Sequence, residues 1–296
     1  MDAQPTPSSA SPHVAPKRPL PRGACDTHAH VFGPYERFPL AEQRPYTPPE
    51  APKERYLAML DAVGFDRGVL VHAGANGWDH RATLDAIAAA PDRLRGIGVM
   101  PADTAPAELA RLAAGGIRGL RFTEVAGPNA AQRFPGRVGF EALAALAPAM
   151  RNLGWHAVVW ANAAAIEANQ DLLRRLGMPL VIDHLGYFDV ARGVDDPAFR
   201  AVLALVGDGL AYIKLTAFRN SKQPPGLDDV EPFHRTLVSA NPERLLWGSD
   251  WPYLGMKDYV PQPGELLDRF DAWIAGDDEL RRRVLVGNPA RLYGWD

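Results

Sequence analysis

The chain has 296 residues, of which 47% are hydrophobic and 23% are charged, and its formal net charge at pH 7 is −3. This composition is typical of a globular protein, so it excludes disorder of the whole chain and the basic character of a nucleic-acid-binding protein. No apolar run reaches the roughly 18 residues that a membrane-spanning helix needs. The one cysteine, Cys25, excludes an intramolecular disulfide. We therefore expect a cytoplasmic protein without a nucleic-acid or membrane partner.

The first 22 residues differ in composition from the remainder of the chain. They are rich in proline, serine and alanine, show no hydrophobic periodicity, and lack the apolar stretch of a signal peptide. We predict a disordered leader at 1–22 and one folded domain at 23–296. Deletion of the leader should then leave folding intact.

After the leader, short apolar runs alternate with longer amphipathic segments. The first unit is a strand at 24–28 and a helix at 51–63, and the last strand, at 245–247, precedes helices at 265–275 and 278–286. Further strands are predicted at 67–72, 94–99, 116–122, 156–160, 180–183 and 211–214, and further helices at 80–90, 106–114, 139–153, 164–176, 196–206 and 228–239.

This alternation is typical of repeated strand–helix units around a parallel sheet. The runs are nearly continuously apolar, as in strands that are buried on both faces. Eight units in about 270 residues fit a closed (β/α)8 TIM barrel. The first strand is not followed by a glycine-rich phosphate loop, which disfavours an open dinucleotide-binding sheet. We predict the α/β class with a single (β/α)8 barrel.

Reactive side chains follow three of the predicted strands. Asp-Thr-His-Ala-His at 26–30 ends the first strand, His184 ends the sixth, and Asp250 follows the eighth. The carboxyl ends of barrel strands form the active site, so these side chains should meet at one mouth. His28 and His30 are two residues apart and face one side of the strand, where they could hold a divalent metal or polarise a carbonyl group.

Several segments resemble the amidohydrolase superfamily, and the resemblance extends from about residue 24 to residue 294. Within that superfamily, the segments at 28–34, 116–122 and 154–156 are similar to the lactonase group that includes 2-pyrone-4,6-dicarboxylate hydrolase. The resemblance implies hydrolysis of a small acidic lactone, such as a ring-cleavage product of aromatic catabolism. The superfamily likeness is carried by Asp-Thr-His-Ala-His at 26–30, Val-Ile-Asp-His-Leu-Gly at 181–186, Trp-Gly-Ser-Asp-Trp-Pro at 247–252 and Gly-Asn-Pro-Ala-Arg-Leu-Tyr at 287–293.

The resemblance leaves the cofactor open. Binuclear members carry a bridging lysine carbamate or carboxylate after the fourth strand and a histidine after the fifth. Here Glu124 is a candidate bridge, no histidine ends the fifth strand, and we interpret His156, at the start of that strand, as structural. The lactonase likeness implies metal-free hydrolysis, which we favour. The alternative is one divalent metal, zinc, on His28, His30 and Asp250.

The metal-free mechanism assigns a role to each of the four residues. Asp250 is the general base that takes a proton from water, and a desolvated site that raises its pKa would strengthen it. The water attacks the lactone carbonyl, while His28, His30 and His184 polarise that carbonyl and stabilise the oxyanion. Asp250 then returns the proton to the leaving oxygen.

An acidic substrate needs cationic partners, and arginine can donate two parallel hydrogen bonds to a carboxylate or a sulfonate. Arg121 ends the fourth strand and matches a substrate-binding arginine in the resemblance, and Arg219 follows the seventh strand. Tyr46 would add a hydroxyl donor from the loop after the first strand. Trp160 completes the predicted substrate site, at a position where the hydrolase pattern has a tyrosine.

Other departures from the hydrolase pattern also change the groups that would bind the substrate. Gly127 stands where a second arginine is expected, with Arg133 as the nearest replacement, while Gly74 replaces a serine and Tyr253 a histidine. Because the four catalytic residues are kept and the anion-binding residues change, the substrate should be a different acidic lactone, such as a muconolactone or 4-sulfomuconolactone.

Several alternatives remain open from the sequence. One is a zinc-dependent 4-sulfomuconolactone hydrolase, and another is a sugar-acid lactone hydrolase or isomerase on the same scaffold. A decarboxylase would be expected to keep the histidine after the fifth strand. A non-catalytic barrel that binds a small molecule needs no general base. We interpret Lys214, in the seventh strand, as structural, and the sequence leaves the oligomeric state undetermined.

Overall fold

The computed structural model describes residues 13–124, 135–256 and 258–295, and in them the predicted (β/α)8 barrel is confirmed. Eight strands form one sheet whose spatial order is the chain order, and each neighbouring pair is parallel. The strands are β1 (Cys25–Ala29), β2 (Arg67–Val71), β3 (Leu94–Gly98), β4 (Ile117–Glu124), β5 (His156–Ala161), β6 (Leu180–Ile182), β7 (Ala211–Lys214) and β8 (Leu245–Leu246).

The strands are apolar because the sheet is covered on both faces. All residues of β6 and of β7 are buried. Inside the barrel, Val69, Ile97, Val158 and Val181 belong to one apolar cluster, and a larger cluster lies between the sheet and the helices. Because side chains alternate along a strand, the residues two positions after the interior ones also face inward, toward the mouth of the barrel.

Helices follow the strands as the sequence predicts, with two differences. The predicted helix at 164–176 is two helices that meet at Asn169, whose backbone leaves the helical region and whose side-chain amide donates to the Ala165 carbonyl. The predicted helix at 278–286 ends early and continues into a π-helical turn, Arg283–Gly287. The helices are α1 (Lys53–Val63), α2 (Arg81–Ala89), α3 (Pro106–Ala114), α4 (Phe140–Asn152), α5 (Ala163–Ala168), α6 (Gln170–Arg174), α7 (Pro197–Gly207), α8 (Glu231–Ala240), α9 (Pro263–Trp273), α10 (Asp278–Arg282) and α11 (Asn288–Tyr293).

The last strand returns to the first and closes the barrel. The backbone N–H and the hydroxyl of Thr27 both donate to the Trp247 carbonyl, at 3.0 and 2.8 Å. An isolated parallel bridge joins Ala29 to Trp251 beyond the end of β8. The chain after β8 is therefore held against the carboxyl end of β1, where the reactive side chains lie.

The predicted leader ends earlier than residue 22. The Lys17 amide donates to Asp268 on α9, and the guanidinium of Arg281 on α10 donates to the carbonyls of Arg18 and Pro19. Arg281 is buried, so these carbonyls satisfy a charged group that is removed from water. The prediction of a leader that reaches residue 22 is therefore wrong for residues 17–20. None of the helices in the described part of the chain is long and apolar enough to cross a membrane.

Candidate active site

The four predicted catalytic residues lie together at the carboxyl ends of the strands. Oδ1 of Asp250 is 3.5 Å from Nε2 of His28 and 3.4 Å from Nε2 of His30. The rings of His28 and His184 have centroids 4.6 Å apart. All four side chains are buried. Because the distances between them are short, one small group at the mouth of the barrel could contact all of them. This arrangement is the one that the sequence predicts.

Unusual backbone conformations direct two of these side chains into the site. Asp250 has a φ of 59° and His184 a φ of 50°, in the left-handed region that residues other than glycine seldom occupy. The Asp250 amide donates to the His28 carbonyl at 2.8 Å, and the His30 amide donates to the Trp251 carbonyl at 2.8 Å. The first of these bonds helps to hold the left-handed backbone at Asp250, and such local strain is common at functional sites.

Asp26 holds this backbone in place, a role that the sequence-based predictions do not include. Its carboxylate accepts the amide of Ser249 at 2.8 Å and the hydroxyl of the same residue at 2.6 Å. The amide of His28 and the hydroxyl of Tyr56 also donate to it, each at 3.2 Å. Burial raises the pKa of Asp26 to about 6, although these donors oppose the shift. Asp26 thus positions the backbone of His28 and that of Ser249, the residue before Asp250.

Arg219 lies beside Asp250. Its Nε is 2.5 Å from Oδ2 of Asp250, and another of its nitrogens donates to the Leu254 carbonyl at 2.8 Å. Burial favours a raised pKa for Asp250, but the positive charge of Arg219, together with the neighbouring histidines, outweighs burial and holds that pKa well below its usual value. Desolvation, which would strengthen Asp250 as a base, therefore does not decide its pKa, because the guanidinium of Arg219 lies beside it.

A second charged cluster lies inside the barrel, next to His28. Nε of Arg121 donates to Oδ2 of Asp183 at 2.9 Å, and Nζ of Lys214 is 3.0 Å from Oδ1 of the same carboxylate. Burial favours a raised pKa for Asp183, but Lys214, His28 and Arg121 hold it well below its usual value. From the sequence we interpret Lys214 as structural, although a charged residue at the end of an apolar strand is a usable signal of a function.

Three aromatic side chains border the mouth. The Arg121 guanidinium lies over the Trp160 ring, 5.2 Å from its centroid, and Trp160 contacts Tyr187 edge-on at 6.0 Å. The Tyr187 ring is 5.5 Å from that of His184. Tyr46 is 37% exposed, and burial of its hydroxyl, together with nearby charges, raises its pKa to about 12. Tyr187, which the sequence analysis does not select, follows His184 by three residues.

The positions that depart from the hydrolase pattern are placed as follows. Gly127 and Arg133 lie outside the described residues. Glu124 accepts the Phe140 amide at 3.1 Å, and it therefore binds the start of α4. Tyr253 is buried, and burial raises its pKa well above the usual value. Gly74 begins a short 3-10 turn after β2.

Two groups of described residues bring potential metal ligands within 4.8 Å of one another: His28, His30 and Asp250, and His28, Asp183 and His184. Both groups need a lone pair on His28. Its Nδ1 is 3.0 Å from the Lys214 ammonium, which can only donate. If Nδ1 accepts from this ammonium, a neutral His28 carries its proton on Nε2, and neither nitrogen then offers a lone pair to a metal. In this protonation state the residues do not fit a metal that uses His28.

The amidohydrolase family model matches residues 25–295, which is nearly the whole barrel. The chain belongs to the amidohydrolase family. It is 40% identical to a 4-sulfomuconolactone hydrolase of Rhizobium radiobacter, over 93% of this chain and 91% of that one. It is 35% identical to a 2-pyrone-4,6-dicarboxylate hydrolase of Comamonas testosteroni, over 97% and 96% of the two chains. These relatives are enzymes that act on cyclic ester bonds.

A solved structure of this amidohydrolase group has a similar fold. It is a probable 2-pyrone-4,6-dicarboxylic acid hydrolase of Acinetobacter baumannii with citric acid bound, and it aligns with a TM-score of 0.78 at 27% identity. The alignment covers 92% of this chain and 99% of the other. The family resemblance predicted from the motifs is confirmed.

Proposed function

We propose that this amidohydrolase hydrolyses a small acidic lactone by attack of water on the ring carbonyl. The observation that carries the proposal is the position of Asp250, which faces three buried imidazoles and one guanidinium. Nε2 of His28 and Nδ1 of His184 are buried and have no hydrogen-bond partner among the described residues. Buried polar atoms without partners are rare, and a substrate oxygen would satisfy them.

For His30 we propose a role other than the carbonyl polarisation expected from the sequence: with Asp250 it is suited to hold the attacking water. Nδ1 of His30 is 2.7 Å from the Val71 carbonyl, which can only accept, so a neutral His30 carries its proton on Nδ1. Its Nε2 and Oδ1 of Asp250 are then two acceptors, 3.4 Å apart, that face the same space. A water that donates to this pair keeps a lone pair for the carbonyl carbon.

In the reaction, Asp250 carries one proton from the attacking water to the leaving oxygen. The water oxygen bonds to the carbonyl carbon, and its proton moves to Asp250. The carbonyl oxygen becomes an oxyanion that His28 stabilises through Nε2–H, and such donors are worth about 3 kcal/mol each. The ring C–O bond breaks, and Asp250 gives the proton to the leaving oxygen. The product is the open-chain acid.

The low pKa of Asp250 makes it a weak base until a substrate arrives. An anionic group that binds Arg219 would share the guanidinium charge and loosen its pairing with Asp250. The pKa of Asp250 would then rise at the moment when the base is needed. We propose that this effect favours acidic lactones over neutral ones.

The proposed substrate-binding residues are those predicted from the sequence, to which we add Tyr187. The predicted residues are Arg121, Arg219, Tyr46 and Trp160. A carboxylate or sulfonate could bind between the two guanidinium groups, which carry amino groups besides the Nε atoms used by Asp183 and Asp250. The chemistry of the relatives supports an anionic ring: one acts on a sulfonated lactone and another on a pyrone dicarboxylate. We further propose that hydrolysis needs no metal and that the protein is cytoplasmic.

The decisive experiment follows ring opening by ultraviolet absorbance with 4-sulfomuconolactone, 2-pyrone-4,6-dicarboxylate and a sugar-acid lactone. Native and chelator-dialysed protein are compared. Equal turnover of an acidic lactone in both samples supports the metal-free lactonase, whereas turnover that dialysis abolishes and zinc restores contradicts it.

Asp250→Asn separates catalysis from binding. This variant should bind the lactone in calorimetry and lose at least about 1,000-fold in kcat, a loss typical of removing a group that acts in the transition state. If native protein binds the lactones but opens none of them, the non-catalytic binding barrel replaces the proposal.

A further inference from the structure

Lys214 is a charged side chain that takes no part in the steps above, yet it is fully buried beside a catalytic histidine. It lies at the end of β7 with a side-chain exposure of 0%. Its Nζ is 3.0 Å from Nδ1 of His28 and 3.0 Å from Oδ1 of Asp183. Burial of a lysine is costly unless it is paired, so the two contacts identify what keeps this ammonium in the barrel.

The two contacts decide where His28 holds its proton. An ammonium has three donors and no acceptor, so Nδ1 of His28 must accept from Lys214. Asp183 could reverse this choice, because its Oδ1 is 3.3 Å from the same Nδ1 and could accept a proton from it. The lysine contact is the shorter of the two, however, at 3.0 Å against 3.3 Å, and it has hydrogen-bond geometry.

This arrangement has opposite consequences for two kinds of chemistry. With the proton on Nε2, His28 directs an N–H donor toward Asp250, 3.5 Å away. A lactone oxyanion bound there could accept a hydrogen bond from this N–H. A metal on His28, His30 and Asp250 would instead need the lone pair of Nε2. A metal on His28, Asp183 and His184 would need Nδ1, where the Lys214 ammonium already supplies the positive charge.

We propose that Lys214 is a positioning residue that fixes His28 as the Nε2–H tautomer, so that His28 donates to the substrate and does not ligate a metal. The catalytic part of this inference rests on the proposed lactonase function. The tautomer itself does not, because it is a property of the protein without a substrate.

The tautomer can be measured by NMR on protein with 15N-labelled histidine, with the His28 signals assigned by comparison with His28→Asn. Long-range 1H–15N spectra distinguish a protonated from an unprotonated ring nitrogen. The native protein should show a protonated Nε2 and an unprotonated Nδ1. The opposite pattern in the native protein overturns the proposal without a substitution of Lys214, so the test does not depend on the folding of the Lys214 variants.

Two variants then ask which neighbour decides. Lys214→Met removes the donor and leaves Asp183 as the acceptor, so the proton should move to Nδ1. Lys214→Arg is the matched control: it keeps a buried cation that can only donate and leaves Asp183 in place, so the proton should stay on Nε2. A proton that stays on Nε2 in Lys214→Met contradicts the proposal, as does one that moves in Lys214→Arg.

Zinc affinity is a second measurement, and it would not change in the variant if Lys214 had only a structural role. Groups that hydrogen-bond to a ligating histidine typically change metal affinity by about 10–100-fold. Calorimetric titration with zinc should therefore show tighter binding to Lys214→Met than to the native protein by about that factor, with no gain in Lys214→Arg. Equal zinc affinities of Lys214→Met and native protein overturn the metal-excluding role. If the tautomer is as expected but no lactone is opened, the proposed function alone fails.

Discussion

Nε of Arg219 lies 2.5 Å from Oδ2 of Asp250, so a predicted substrate-binding arginine is paired with the predicted general base. This contact explains how a buried carboxylate keeps a pKa well below its usual value in a site where burial alone would raise it. It also means that binding of an anion and activation of the base would involve the same guanidinium.

Replacement of Arg219 by methionine should weaken substrate binding and shift the pH profile together. Activity requires ionised Asp250 and is lost as the pH falls through its pKa, so removal of the positive charge should move this acidic limb to higher pH. We expect KM to rise about 10-fold or more, because a charged hydrogen bond is worth about 1.5–3 kcal/mol. The measurement is kcat and KM against pH.

Arg269→Met is the matched control, because Arg269 pairs with Asp228 at the surface. That variant should keep both KM and the position of the acidic limb. An acidic limb that stays in place in Arg219→Met would show that the pair does not set the pKa of Asp250.

The pair of Trp160 and Tyr187 should control which anionic ring is preferred. Tyr187→Phe keeps the ring against His184 and removes only the hydroxyl, so KM for an acidic lactone should rise about 5–10-fold with little change in kcat, as expected for one hydrogen bond. Trp160→Tyr restores the tyrosine of the hydrolase pattern and should raise kcat/KM for 2-pyrone-4,6-dicarboxylate relative to 4-sulfomuconolactone. Unchanged ratios in both variants would exclude these residues from substrate selection.

The stability of the protein should fall as the pH decreases below about 6.5. Buried histidines with lowered pKa values stay neutral in the folded state, while the unfolded chain binds a proton at each of them below its ordinary pKa. Asp26 acts in the opposite sense, because its pKa is raised to about 6, but it is one group against several. The buried histidines with lowered pKa values are His28, His72, His80, His156, His184 and His234.

His234 tests this argument away from the site. Its ring packs against Phe270 and Trp273, and burial lowers its pKa to about 3. One such histidine lowers the free energy of unfolding by about 2 kcal/mol at pH 5 relative to pH 8. His234→Leu should remove that share of the loss in urea unfolding at the two pH values. A variant with the same pH dependence as the native protein would contradict the assignment.

Two truncations should show which part of the predicted leader contributes to the stability of the protein. Removal of residues 2–12 should leave the free energy of unfolding unchanged. Removal of residues 2–20 takes away the carbonyls of Arg18 and Pro19 from buried Arg281 and the contact of Lys17 with α9, and it should cost about 1–3 kcal/mol. Equal melting temperatures of the two truncated proteins would restore the original prediction that the whole leader is dispensable.

The sequence by itself determines the barrel and the positions of its reactive residues. Eight apolar runs between amphipathic segments are sufficient because a parallel strand must be buried on both faces. His28, His184 and Asp250 were found for a related reason: each follows such a run, and the carboxyl ends of barrel strands share one mouth. Local patterns of this kind need no knowledge of which side chains touch.

Tertiary structure alone decides the charge states and the partners of these residues. Lys214 and His28 are 186 positions apart, and Arg219 and Asp250 are 31 apart, so no local pattern relates their atoms. The direction of the pKa shift of Asp250 and the tautomer of His28 depend on distances of about 3 Å, since electrostatic and hydrogen-bond energies change steeply over that range. The sequence therefore indicates which groups react, and the fold determines which of them hold the protons.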